Sequence, residues 1–296
     1  MSRREPKIID ARRLAEHPLP EHAAEAGKGD RGKLLIVAGS VGLPGAAILS
    51  ARAALRVGCG TVRAAVPRSA ALAVGAAVPE LMVLALPETD AGTAAGGALA
   101  ILESQVEPCD AVVIGPGMGS HAETRRTASK FLEGCPLPTV VDAEALNAWG
   151  EAGRPAGAGP RVLTPHALEM ARLIGVEPEA VEADREALAA RHAEGWGCVL
   201  VLKGRETLVA GRDFLVNRAG TPGLGTAGSG DVLAGVIGGL LARGADPTTA
   251  AAWGVHLHAL AGEAAARKLG DDGLIASDVV DHLPEAMLRL LAAVQA

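Results

Sequence analysis

Short, nearly continuous apolar runs, most of them ended by Gly, Pro or Asp, constrain this chain more than any other feature. They fall at Lys33–Ala38, Thr61–Val66, Leu81–Leu86, Ala111–Ile114, Thr139–Val141 and Arg161–Leu163. Helix-compatible segments lie between several of them, at Gly45–Val57, Glu123–Leu132 and Ala167–Leu173. A strand that is apolar throughout must be covered on both faces, the situation of a parallel sheet between two layers of helices. Three closer runs follow at Val199–Lys203, Glu206–Ala210 and Phe214–Asn217, joined by Gly204-Arg205 and Gly211-Arg212-Asp213. Links that short favour hairpins, so antiparallel strands are expected at one edge of the sheet. Three helices complete the pattern, Ser229–Arg243, Pro247–Leu269 and Ala276–Val294. No repeat or linker divides the chain. The expectation is one α/β domain of 296 residues, with residues 1–32, broken by Pro18 and Pro20, as an N-terminal arm.

Composition decides what can fill such a fold. Hydrophobic residues make up 49% of the chain but aromatic ones only 2%, with no Tyr, so the core must be built from Ala, Leu and Val. The formal charge of -6 comes from 28 basic and 34 acidic residues that are mixed along the chain. Without a basic run or interleaved aromatics, nucleic acid is not expected as a partner. No apolar run reaches membrane-spanning length free of charges and turn residues, so a membrane is not expected either. The start, Met1–Asp10, is charged and lacks the apolar stretch of a signal peptide. Cys59, Cys109, Cys135 and Cys198 form no C-x-x-C pair and match no zinc spacing. They read as buried free thiols of a cytoplasmic protein.

The strongest chemical signal is Gly220-Thr-Pro-Gly-Leu-Gly-Thr-Ala-Gly-Ser-Gly-Asp231, followed by the apolar stretch Val232–Leu241. Closely spaced glycines let the backbone approach a ligand. The helix that follows presents unpaired N–H groups and a positive dipole end to it. A carboxylate in that first turn is placed to accept the proton of an attacking hydroxyl while the N–H groups hold a phosphoryl group. The plainer alternative is that Asp231 only stabilises the helix start. Gly223-x-Gly225-x-x-Gly228 formally matches a dinucleotide fingerprint. A second strand with an acidic residue about 20 residues on is missing, since the helix leads to Gly244-Ala-Asp-Pro247 and another helix. No phosphate-binding loop ending in Gly-Lys-Ser or Gly-Lys-Thr occurs.

With these residues in view, the chain resembles the ribokinase-like family of ADP- or ATP-dependent NAD(P)H-hydrate dehydratases, from about Lys28 to Pro284. The matching segments include Lys28-Gly-Asp-Arg-Gly-Lys-Leu-Leu-Ile-Val-Ala-Gly-Ser40, Pro44-Gly-Ala-Ala47, Ile114-Gly-Pro-Gly-Met-Gly119 and Val141-Asp-Ala-Glu-Ala-Leu-Asn147. Leu163-Thr-Pro-His166, Leu202-Lys-Gly204, Gly228-Ser-Gly-Asp-Val-Leu-Ala-Gly235 and His258 with Ala261-Gly262 follow in the family's order. The departures are local. Glu144 stands where the family usually has Asp, Ala167-Leu168 replaces Pro-Gly, and Leu224-Gly225 replaces Met-Ala.

The resemblance implies that the hydroxyl of a hydrated nicotinamide ring, in its S epimer, is phosphorylated by ADP or ATP with Mg²⁺. Phosphate then leaves to regenerate NADH or NADPH. It implies Asp231 as catalytic base and substrate contact, and Ala46, Ala47, Gly117 and His166 as further substrate contacts. It places the nucleotide on Lys203, Gly204, Arg205, Glu206 and Thr207 and on Ala227, Gly228, Ser229 and Gly230. It also implies a homo-oligomer, with a tetramer the form it points to, and functional pairing with a separate epimerase. A small-alcohol kinase of the same fold, such as a hydroxyethylthiazole kinase, is the alternative. It would share the glycine loop and Asp231 but release a stable phosphate ester.

Overall fold

The computed structural model describes residues 5–21, 25, 27–153 and 159–295. In chain order the first half comprises β1 (Lys7–Ile8), α1 (Ala11–Ala15), β2 (Lys33–Val37), α2 (Pro44–Arg56), β3 (Thr61–Pro67), α3 (Arg68–Ala77), β4 (Met82–Leu86), α4 (Ala98–Ser104), β5 (Ala111–Ile114), α5 (Ala122–Gly134) and β6 (Thr139–Val141). The second half comprises α6 (Glu144–Glu151), β7 (Arg161–Leu163), α7 (Ala167–Ile174), α8 (Pro178–Ala183), α9 (Arg185–Trp196), β8 (Val199–Leu202), β9 (Thr207–Ala210), β10 (Phe214–Asn217), α10 (Ser229–Ala242), α11 (Pro247–Leu269) and α12 (Ala276–Gln295).

The strands form one ten-stranded sheet in the order β1-β10-β9-β8-β7-β6-β5-β2-β3-β4. From β8 to β4 every pairing is parallel, whereas β9 runs antiparallel to both β8 and β10. The apolar runs are therefore a mainly parallel sheet flanked by helices, with antiparallel strands at one edge. Beyond them, β1 pairs in parallel with β10, Lys7 opposite Leu215. The stretch read as an N-terminal arm thus contributes the outermost strand. Its two residues are exposed and carry no apolar pattern, so the edge position left no mark in the sequence.

Alternation along the strands divides the core in two, because successive side chains point to opposite faces. Leu34 and Ile36 join one cluster, with α2, α10, α11 and α12, while Leu35 and Val37 join the other, with α5, α6, α7 and α9. The shortage of aromatics is met by close approach. A Cβ on Gly235 of α10 would lie 2.1 Å from the Ser50 carbonyl oxygen of α2. Only glycine lets the two helices pack this tightly. The result is that α10 is buried along nearly its whole length, with its N-terminus fixed at the C-terminal ends of the parallel strands. Cys59, Cys109 and Cys135 are buried free thiols, and burial pushes Cys59 up to about 11. Cys198, expected to be buried, is partly exposed, because it precedes β8 on the rim of an open cavity at the opposite end of the strands.

Candidate active site

The sheet order reverses at β2, which lies between β5 and β3, and crevices for ligands form at such points beyond the carboxyl ends of the strands. Here the Gly39 N–H donates to the Pro116 carbonyl at 2.7 Å, tying the turn after β2 to the turn after β5. Gly117 has φ 63°, and a Cβ on it would come within 2.6 Å of the Ala46 Cβ. Two residues expected against the substrate, Ala46 and Gly117, thus meet in one place. Ala47 does not share it. It is wholly buried in the core cluster behind α2, so it shapes the wall without a surface for a ligand to touch.

A second group of residues gathers at the ends of β6, β7 and β8. Lys203, just after β8, lies 3.0 Å from Asp142 Oδ1 and 3.7 Å from Glu169 Oε2. Thr164 donates its hydroxyl to Asp142 Oδ1 at 2.7 Å. Glu169 also accepts the His166 backbone N–H at 2.8 Å, while His166 Nδ1 accepts the Glu169 N–H at 3.3 Å, a reciprocal cap on α7. His166, expected as a substrate contact, therefore carries a structural duty at the helix start, with its ring half exposed. Ala143, between Asp142 and α6, is held at φ 48° and ψ −123°. Among the described residues it is the only non-glycine at positive φ, and strain of this kind concentrates at functional sites.

The third component is the start of α10. Gly228 is left-handed, and no side chain caps the helix. The Ser229 N–H reaches the Thr226 carbonyl at 3.3 Å, and the first helical bond runs from the Val232 N–H to the Gly228 carbonyl at 3.1 Å. Among the described residues the N–H groups of Ala227, Gly228, Gly230 and Asp231 find no backbone acceptor. Such a helix end is equipped to bind an anion. A Cβ on Gly230 would lie 3.4 Å from Lys203 Nζ, so the ammonium sits directly against the turn.

These parts set the electrostatics. Burial, with Asp142 adding to it and Lys203 opposing it, pushes the Asp231 carboxyl up to about 6. Burial alone would lower Lys203, but Asp142 and Glu169 outweigh it and hold the ammonium charged. Behind the turn, His258 of α11 is buried 3.2 Å from the Ser229 hydroxyl, and burial pulls its imidazole down to about 4. The Ser50 hydroxyl donates to the Asp231 carbonyl at 2.9 Å, fixing the turn from the side of α2. The proposed nucleotide segment is shaped by Arg185, which donates to the carbonyls of Leu202, Lys203 and Glu206 at 3.0 to 3.2 Å. Gly204, Arg205 and Glu206 are exposed, Thr207 donates its hydroxyl to the Gly204 carbonyl, and Glu206 pairs with Arg218. Arg185, Thr164 and Ser50 were not singled out from the sequence. Each acts on a partner at least 17 residues away, with no local motif to mark it.

An open, mainly parallel sheet with an uncapped, aspartate-bearing helix at its carboxyl edge defines a ribokinase-like protein. The comparisons narrow this. The family model described as NAD(P)H-hydrate dehydratase matches residues 34–285. The ADP-dependent (S)-NAD(P)H-hydrate dehydratase of Xanthomonas campestris pv. campestris is 42% identical over 286 residues, covering 96% of this chain and 97% of that one. The bifunctional NAD(P)H-hydrate repair enzyme of Moorella thermoacetica is 43% identical over 276 residues, 92% of this chain. This chain spans only 52% of that relative's length. The crystal structure of the ADP/ATP-dependent NAD(P)H-hydrate dehydratase of Bacillus subtilis, co-crystallised with ATP and Mg²⁺, superposes with a TM-score of 0.82 at 28% identity, covering 96% and 99% of the two chains. The chain belongs to the NAD(P)H-hydrate dehydratase family.

Proposed function

We propose that this protein dehydrates the S epimer of hydrated NADH or NADPH at the expense of ADP or ATP. The observation that carries this reading is the half-buried Asp231 carboxylate beside the unclaimed N–H groups of the α10 start, with Lys203 against Gly230. The ring hydroxyl attacks the terminal phosphorus of the nucleotide, and Asp231 takes the hydroxyl proton. The P–O bond to the leaving AMP or ADP breaks. The N–H groups of Gly228 and Gly230, with Lys203, stabilise charge on the transferred group. The ring's C–O bond then breaks with loss of phosphate, a far better leaving group than hydroxide, and a proton leaves the neighbouring ring carbon. With its carboxyl near 6, Asp231 is ionised at neutral pH yet basic enough to accept a proton.

Mg²⁺ would neutralise polyphosphate charge. Among the described residues no three His, Cys, Asp or Glu converge into a cage. That fits an ion bound mainly by phosphate and water oxygens, as Mg²⁺ prefers. Asp142, whose Oδ1 is held by the Thr164 hydroxyl and Lys203, is the carboxylate that would help position the ion. Among the described residues no helix is long and apolar enough to cross a membrane. We place the enzyme in the cytoplasm as a homo-oligomer, paired in function with a separate epimerase.

The test is incubation with hydrated NADH and with hydrated NADPH, plus ADP or ATP and Mg²⁺, following recovery of nicotinamide absorbance. Recovery is expected only with nucleotide present. Full recovery in excess chelator without nucleotide sinks the reading, and a phosphate ester that accumulates without eliminating supports the small-alcohol kinase instead.

A further inference from the structure

The residues gathered around Asp231 account for the ring end of a hydrated dinucleotide and leave its adenosine half without a seat. A cavity of about 550 Å³, lined largely by polar side chains, lies among α5, α6 and α7. Ser120, directly after the turn that carries Gly117, and Glu144, two residues after Asp142, lie on its lining. Arg125 of α5, Asn147 and Glu151 of α6 and Arg172 of α7 line the rest.

The side chains are not equivalent. Arg125 is ion-paired to both carboxylates: Nη1 donates to Glu144 at 3.2 Å, and Nε lies 3.4 Å from Glu151 without making a hydrogen bond. Asn147 donates to Glu144 Oε2 at 3.1 Å, leaving its second amide hydrogen for another acceptor. Arg172 makes no hydrogen bond or ion pair with any described residue, and it is the cation this cavity has left to give. It lies six residues after His166, about 9 Å further along the helix. That separation puts it away from the ring but within reach of the other half of the same molecule.

We propose that this cavity binds the adenosine phosphate half of the dinucleotide substrate, with Arg172 pairing to a phosphate. The inference rests on the dehydratase reading. A guanidinium fork matches phosphate oxygens two at a time. Ser120 and Asn147 add neutral donors. The two carboxylates, which would repel an isolated anion, suit ribose hydroxyls, the role acidic side chains take in other dinucleotide sites. A cavity with both signs of charge thus fits a ribose phosphate better than inorganic phosphate. The donor nucleotide is the competing source of phosphate. Its expected seat is at Lys203–Thr207 and the start of α10, which belong to other elements.

Arg172→Met and Arg172→Lys are compared with wild type on hydrated NADH and on hydrated nicotinamide mononucleotide, which lacks the adenosine phosphate. For Arg172→Met the expected result is a KM for hydrated NADH raised about tenfold, as for loss of one charged hydrogen bond, with kcat held. The same variant is expected to show a much smaller KM change on the mononucleotide, and Lys to restore part of the loss. Equal changes on both substrates, no change on either, or a rise confined to the KM of ADP or ATP overturns the proposal. Equilibrium binding of NADH and of nicotinamide mononucleotide to the same proteins separates this from failure of the dehydratase reading. An enzyme that binds NADH through Arg172 yet dehydrates nothing keeps the subsite and loses the reaction.

Discussion

Two consecutive helices each begin with an aspartate, and the two aspartates are used in opposite ways. At α11, Asp246 is the N-cap. It accepts the N–H groups of Thr248 and Thr249 at 3.1 and 3.3 Å, bonds the Thr249 hydroxyl, and is followed by Pro247 in the first turn. Burial raises its carboxyl, but those hydrogen bonds and Arg212 outweigh it, and the group ends below the ordinary carboxylate range. At α10, Asp231 lies inside the first turn, caps nothing, and is raised to about 6. The first helix end is closed by its own side chain. The second is left open, and its carboxylate is held in an unfavourable state. If Asp231 were only a helix-start carboxylate, it would look like Asp246. On the proposed function, stability is given up at α10 to keep donors and a base available to a ligand.

The largest effect that can break this comparison is on turnover. Asp231→Asn keeps the shape but cannot take a proton, and loss of a general base costs about 10²–10⁴-fold in rate. Nucleotide affinity should hold or improve, because one negative charge near the phosphates is gone. Steady-state turnover with calorimetric nucleotide binding measures both. Near-normal turnover would reduce Asp231 to a second Asp246.

A smaller effect has the sign that sets the two residues apart. The folded-state carboxyl of Asp231 is raised from 3.8 to about 6, so the folded state holds its proton longer than the unfolded chain does. Stability therefore falls as pH rises from 3.8 through 6 and stays lower above that. Asp231→Asn removes the cost and should stabilise the protein at pH 8 by about 1–3 kcal/mol, with the gain vanishing below pH 4. Urea unfolding at the two pH values measures it. A variant less stable than wild type at pH 8 would mean that the carboxylate is structural after all.

The contrast also explains what could be read in advance. β5, β6, β7 and β10 were legible to the residue, because buried strands write short apolar runs that Gly, Pro or Asp interrupts. Lys7–Ile8 was not, since an exposed two-residue edge strand has no pattern to write. In the site, the density of glycines before Asp231 marked the open turn at the start of α10 locally. The ion cluster of Asp142, Glu169 and Lys203 came from three strand ends that only the parallel sheet brings together, with Asp142 and Lys203 separated by 61 residues. Ala46 and Ala47 were both read as ring contacts; both are buried, but neighbours on a helix face different ways, and only the packing of α2 turns Ala46 toward Gly117 and Ala47 into the core cluster.

The smallest expected effect sharpens the comparison most, because it is the same substitution made at the other aspartate. Asn caps a helix about as well as Asp, so Asp246→Asn should change stability at pH 7 by only a few tenths of a kcal/mol, whereas Asp246→Ala should cost about 0.5–2 kcal/mol. The ion pair of Asp246 with Arg212, at 3.4 Å on the surface, adds little to either figure. Turnover should be unaffected by both. The pH response should still differ. The lowered carboxyl of Asp246 supplies stability that is present above its unfolded value of 3.8 and lost as pH falls through its folded value. Asn carries no such dependence, so the gap between Asp246→Asn and wild type should narrow as the medium is acidified. Denaturant midpoints at pH 7 and below pH 4, taken with turnover at pH 7, measure all three effects. A tenfold loss of turnover in Asp246→Asn would show that the start of α11 is coupled to the chemistry, and the division between a closed helix end and an open one would fail.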